Sequence, residues 1–91
     1  MGIKRYHLLI NGHVQGVGYR VSAREKALQL GLTGWVRNCA DGRVEMLIEG
    51  SNDALEQMLE WAARGPRFAN VTDVDVTEQT TIGDLTHFDI R

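Results

Sequence analysis

An α+β domain, with two helices on one face of an antiparallel sheet, is predicted by three features of the sequence. Apolar periodicity runs in the order strand, helix, strand, strand, helix, strand, with a short strand after it. An Asp41-Gly42 pair lies between the two central strand-like runs, where a tight hairpin turn needs glycine in a left-handed conformation. Each helix-like run ends at a glycine, Gly31 and Gly65, as helices that stop in a left-handed cap do.

The first strand covers residues 5–11, where Tyr6, Leu8 and Ile10 share one parity and Arg5, His7 and Asn11 the other. A glycine-rich loop follows, and residues 21–30 then show helical spacing. Ala23, Ala27 and Leu30 form the apolar stripe, while Arg24, Glu25, Lys26 and Gln29 suit the wet side. Residues 33–39 and 43–49 are the two arms of the hairpin, the second with Val44, Met46 and Ile48 in phase. Ser51 is placed to cap the second helix, whose buried stripe is Leu55, Met58, Leu59 and Ala62, flanked by Ala54 and Trp61. Arg64-Gly65-Pro66 ends it, because proline cannot continue a helix. Val74 and Val76 alternate with Asp73 and Asp75 in a fourth strand over residues 70–78, and Val71, out of phase, implies a bend or bulge. Residues 79–86 read as a loop, and residues 86–91 as a short edge strand. This order is the split βαβ, or ferredoxin-like, pattern. That fold hosts many activities, so function has to come from a site.

A chain of 91 residues with 43% apolar residues makes one domain, spanning residues 1–91, with a modest core. A net charge of −2 does not point to nucleic acid or an anionic membrane. The single cysteine, Cys39, excludes an intramolecular disulfide and fits a reducing compartment. No apolar run is long enough to span a membrane, and the first residues lack a secretory pattern. A cytoplasmic protein is expected.

The chemistry concentrates in Gly12-His13-Val14-Gln15-Gly16-Val17-Gly18-Tyr19-Arg20. Three glycines permit a tight loop with its N–H groups turned inward. The loop ends in an arginine at a helix start, where unpaired N–H groups and the helix dipole favour an anion. A cation there opposes the dipole, so Arg20 suggests a functional anion rather than helix stability. The lysine and serine or threonine of the P-loop signature are missing. Asn38, at the end of the strand before the hairpin, carries a donor and an acceptor and could hold a water without taking up a proton. An asparagine flanking a turn more commonly satisfies backbone groups, and both roles stay open on this spacing alone.

Gly12 to Arg20 resembles the first acylphosphatase motif. Gly34-Trp35-Val36-Arg37-Asn38, followed by Gly42, Val44 and Gly50, resembles the second. Tyr19 stands where the first motif commonly has phenylalanine, which keeps the ring. The resemblance implies hydrolysis of acyl phosphates to a carboxylate and inorganic phosphate, without a metal, a cofactor or a phosphoenzyme. It implies that Arg20 and the backbone amides of Gln15, Gly16, Val17, Gly18 and Tyr19 bind the phosphate, and that Asn38 positions the attacking water. The expected partner is a small acyl phosphate, acted on by a monomer. A non-catalytic anion-binding module on the same fold is the main alternative. An RNA-binding domain of this topology lacks its strand aromatics here.

Rival chemistry is weaker. His13 adjoins the loop but fits a polar strand end, and His7 and His87 fit strands. The carboxylates show no metal-ligand spacing. Cys39 has no evident base beside it and opposite parity to Asn38. Trp35, Trp61 and Phe68 suit core or edge packing.

Overall fold

A computed structural model describes residues 2–91. The elements follow the predicted order: β1 (Ile3–His13), α1 (Tyr19–Leu30), β2 (Thr33–Asn38), β3 (Val44–Ser51), α2 (Asn52–Arg64), β4 (Asn70–Gln79) and β5 (Phe88–Ile90). They form one sheet in the order β4-β1-β3-β2-β5. The first four strands pair antiparallel, as expected. β5 differs: it pairs parallel with β2, which makes the sheet mixed. The cause is chain direction. β4 runs opposite to β1 and therefore opposite to β2, so it ends where β2 begins. The chain crosses from there to the far edge and can only run alongside β2.

One side of the sheet carries the core. Leu8, Ile10, Val36, Val44, Met46, Ile48 and Phe88 face Ala23, Ala27, Leu55, Met58 and Ala62 of the helices, all buried. Alanine on α1 lets the helix lie close to the sheet. β2 needs a glycine for the same reason of space. A Cβ at Gly34 would stand 1.8 Å from the Leu47 carbonyl oxygen, and its φ of +144° is closed to other residues. The expected bulge lies in β4: the register shifts between Asn11 and Gly12, leaving Thr72 as the extra residue.

The other face is less wet than strand alternation implies. Arg5 and Glu49 are 5% and 7% exposed, and Arg5 Nε donates to Glu49 Oε1 at 2.9 Å. A second donor of Arg5 reaches Asp84, in the segment between β4 and β5. That segment crosses the helix-free face and closes over the pair. Nearby, His7 Nε2 donates to Glu45 Oε2 at 2.6 Å, and Arg37 donates to the other oxygen of the same carboxylate. His7, first, and then Arg37 hold the Glu45 carboxyl below the usual range, with burial opposing them.

Both helices end as predicted, α1 at Gly31 in the left-handed conformation and α2 before Gly65. Ser51 caps α2, its hydroxyl accepting from the Ala54 N–H at 3.3 Å. The end of α2 has a polar defect. The Ala62 carbonyl would accept from the N–H four residues on, but that residue is Pro66. Tyr19 resolves it: its buried hydroxyl donates to Ala62 O at 2.8 Å. Its ring lies 5.1 Å from that of Trp61, tilted by 52°. Burial pushes the Tyr19 phenol well above its ordinary value, so it remains a donor. Of the other aromatic residues, Trp35 lies beneath the Arg91 guanidinium at 4.9 Å. Phe68 does not pack as expected: it is 73% exposed, with Arg67 over its ring.

Tyr19→Phe should leave the Ala62 carbonyl buried without a donor and lower unfolding stability by about 1–3 kcal/mol in chemical denaturation. An unchanged midpoint would mean that the hydroxyl contributes nothing. For acid stability, Glu45 has a folded pKa below its unfolded one. Its contribution is therefore complete above the unfolded value, near 4.3, and is lost as pH falls through the depressed folded value. The thermal midpoint of the wild type should fall through this range more steeply than that of Glu45→Gln.

Candidate active site

The topology brings the two motifs together. β1 and β2 both pair antiparallel with β3, which lies between them, so they run in the same direction. The loop after β1 and Asn38 at the end of β2 therefore emerge at the same end of the sheet. β5 runs with β2 and brings Ile90 there as well.

The loop turns through two left-handed glycines, Gly16 (φ +75°) and Gly18 (φ +78°). Gly18 is the N-cap of α1. No side chain caps this helix and no acid lies in its first turn. The backbone donors at that end are thus left to an external acceptor. A Cβ at Gly16 or Gly18 would meet no atom within 4 Å, so their need for glycine comes from φ and not from crowding.

A cavity of about 160 Å³ opens at this point. Gly16, Gly18, Tyr19 and Arg20 line it from the loop and the start of α1, and Asn38 lines it from β2. Val14, Val21 and Ile90 supply apolar wall. Arg20 is half-buried, and among the described residues no carboxylate pairs with it. Asn38 Oδ1 is buried, and no group among the described residues donates to it. A buried amide oxygen left this way is costly unless a ligand or water supplies the donor.

The structure thus brings Arg20 and Asn38 into one cavity with three of the five residues expected to present amides. The other two are used differently by their side chains. Val17 packs against the core. Gln15 reaches away from the loop: its side-chain amide donates to Cys39 O at 2.8 Å and to Arg43 O at 3.0 Å. From the sequence Gln15 is expected only as a source of backbone N–H, because contacts 24 and 28 residues away leave no local signal. Ile90 is not marked as a site residue either, its only sign being the alternation of residues 86–91.

The rival candidates lie elsewhere. His13 is exposed at the end of β1, where it pairs with Asn70, and does not line the cavity. His7 is engaged by Glu45. Among the described residues, no three His, Cys, Asp or Glu side chains gather as a metal site, and no helix is long and apolar enough to cross a membrane.

The acylphosphatase family model matches residues 6–90. The acylphosphatase of Methylococcus capsulatus is 52% identical over 86 residues, which cover 94% of each chain. The crystal structure of the acylphosphatase from Bacillus subtilis superposes with a TM-score of 0.93 at 40% identity, covering 97% of this chain and 98% of that one. An acylphosphatase structure from Coxiella burnetii gives a TM-score of 0.91 at 38% identity, over 98% of this chain and 93% of that one.

Gly18→Ala should force a non-glycine residue into the left-handed region and cost about 1–2 kcal/mol in unfolding stability. Saturating inorganic phosphate is expected to raise the thermal midpoint of the wild type, and to raise that of Gly18→Ala by less. A full phosphate shift in a folded Gly18→Ala protein would show that this backbone conformation does not hold the anion.

Proposed function

The chain belongs to the acylphosphatase family, and on that premise we propose that it hydrolyses the carboxyl–phosphate bond of acyl phosphates, with Arg20 and the loop amides holding the phosphoryl group and Asn38 the attacking water. The convergence of Arg20, the glycine loop and the unpartnered Asn38 Oδ1 on one small cavity carries this reading.

The chemistry asks little else of the protein. An acyl phosphate is a mixed anhydride, and its leaving group is a carboxylate whose conjugate acid has a pKa of about 4. It departs without a general acid. The water oxygen bonds to phosphorus as the bond from phosphorus to the bridging oxygen breaks, and that electron pair leaves on the carboxylate. The water's proton passes to a phosphate oxygen of the substrate. Charge spread over the phosphoryl oxygens is met by inward N–H groups and by the guanidinium, whose planar fork grips two oxygens at once. Asn38 Oδ1 accepts one O–H of the water, which directs an oxygen lone pair towards phosphorus. No base needs to titrate near neutrality, in keeping with a cavity without histidine.

The same reading places residues 1–91 as a single catalytic domain, a cytoplasmic monomer that needs no metal and no nucleic-acid partner. The single Cys39 supports the reducing compartment, and the net charge of −2 supports the lack of a nucleic-acid partner. No observation favours the non-catalytic anion-binding alternative.

Benzoyl phosphate hydrolysis in the presence of EDTA tests the assignment. Arg20→Ala should lower kcat/KM by at least about 10²–10³, and Arg20→Lys should recover little of it. Asn38→Ala should abolish turnover while inorganic phosphate still protects the fold against heat. Near-normal kcat/KM in Arg20→Ala, or activity lost to EDTA, would overturn the corresponding part.

A further inference from the structure

The Asn38 amide can serve an in-line attack only if the strand end that carries it stays fixed relative to the loop that holds the phosphorus. The two belong to separate segments, and β3 lies between their strands. One side chain spans the gap. Gln15 sits in the loop directly before Gly16, and its Nε2 donates to Cys39 O at 2.8 Å and to Arg43 O at 3.0 Å. Cys39 follows Asn38, Arg43 precedes Val44, and Asn38 and Val44 are register partners. The two hydrogens of one amide therefore bracket the pair of residues that ends the β2–β3 ladder.

The turn they grip is stiffened from within. The Cys39 N–H donates to Arg43 O at 2.8 Å, and the Gly42 N–H donates to Cys39 O at 3.2 Å. Asp41 accepts from the Arg43 backbone and guanidinium. A rigid turn fixed at two points moves with the loop as one body. We propose that the Gln15 side chain is a positioning residue, which sets the Asn38 amide, and hence the attacking water, against the phosphate-binding loop. This rests on the roles given above to Arg20, the loop amides and Asn38.

The role separates from phosphate binding. Arg20 and the inward amides belong to the loop itself, so the anion should still be held when the clamp is lost. The water should not be. A misplacement of about 1 Å between reacting atoms costs on the order of 10²-fold in rate. Loss of Gln15 should therefore appear in kcat and not in affinity for the anion.

The experiment is steady-state hydrolysis of benzoyl phosphate by wild type, Gln15→Met and Gln15→Glu, with inorganic phosphate as inhibitor. Gln15→Met keeps length and removes both donors. Its kcat should fall by about 10- to 100-fold, with inhibition by phosphate unchanged. Gln15→Glu aims an acceptor at two carbonyl oxygens, which favours its neutral form and lifts its pKa above the usual value near 4.3. Once protonated it regains one donor, so its kcat relative to wild type should rise as pH is lowered towards 5. A wild-type kcat in Gln15→Met overturns the proposal, as does a parallel loss of phosphate inhibition and kcat. If Gln15→Met does not fold, a Gln15→Glu defect that is independent of pH overturns it equally. Wild-type turnover is the control for the underlying reading: its absence would sink the hydrolase assignment, whereas an undiminished kcat in Gln15→Met would sink only the positioning role.

Discussion

The first turn of α1 begins at a left-handed glycine, with no capping side chain and no acid. An ordinary side-chain cap at this position would contribute about 0.5–2 kcal/mol, and it would also occupy the donors that an anion needs. Stability and binding compete for the same N–H groups, and here they are left to the ligand. The fold offsets the loss one residue later. Tyr19, the first helical residue, is buried between the helices, packs on Trp61 and supplies the hydroxyl that satisfies the end of α2. The start of one helix is thus anchored by the stop of the other.

Direction does the rest. Three strands, β1, β2 and β5, run the same way and deliver the loop, Asn38 and Ile90 to one end of the sheet. None of these groups needs to be close in sequence. The hairpin between β2 and β3 can carry Asn38 because its turn is self-bonded and tied to the loop, whereas an asparagine on a free turn would sample many orientations.

Much of this was legible in the sequence because it is local. Strand parity, the Ala23 and Ala27 stripe, the Ser51 cap, the Asp41-Gly42 turn and the glycine loop all depend on neighbours within a few residues. Even the bulge showed, as Val71 out of phase. The features that escaped are pairings across the chain. Arg5 looked like a solvent-facing residue of β1, and only its partners Glu49 and Asp84, 44 and 79 residues away, make it a buried charge. Tyr19 looked like an aromatic exchange of no consequence until Pro66 left a carbonyl for its hydroxyl. The second role of Gln15 was hidden in the same way. The parallel course of β5 follows from where β4 ends, a fact of topology and not of composition.

The two margins of the sheet are finished differently. β5 is only three residues long, too short to recruit another strand. β4 is ten residues long and largely exposed, and it pairs with β1 alone. A strand of that length with open backbone groups is an invitation to polymerise. It is blunted by the extra residue at Thr72, which breaks the regular spacing, and by Asp73, Asp75 and Glu78, which set like charges against any second copy laid along it. One part of that protection is ionic and the other geometric, so salt that screens the acids weakens the first while the kink at Thr72 still keeps molecules apart.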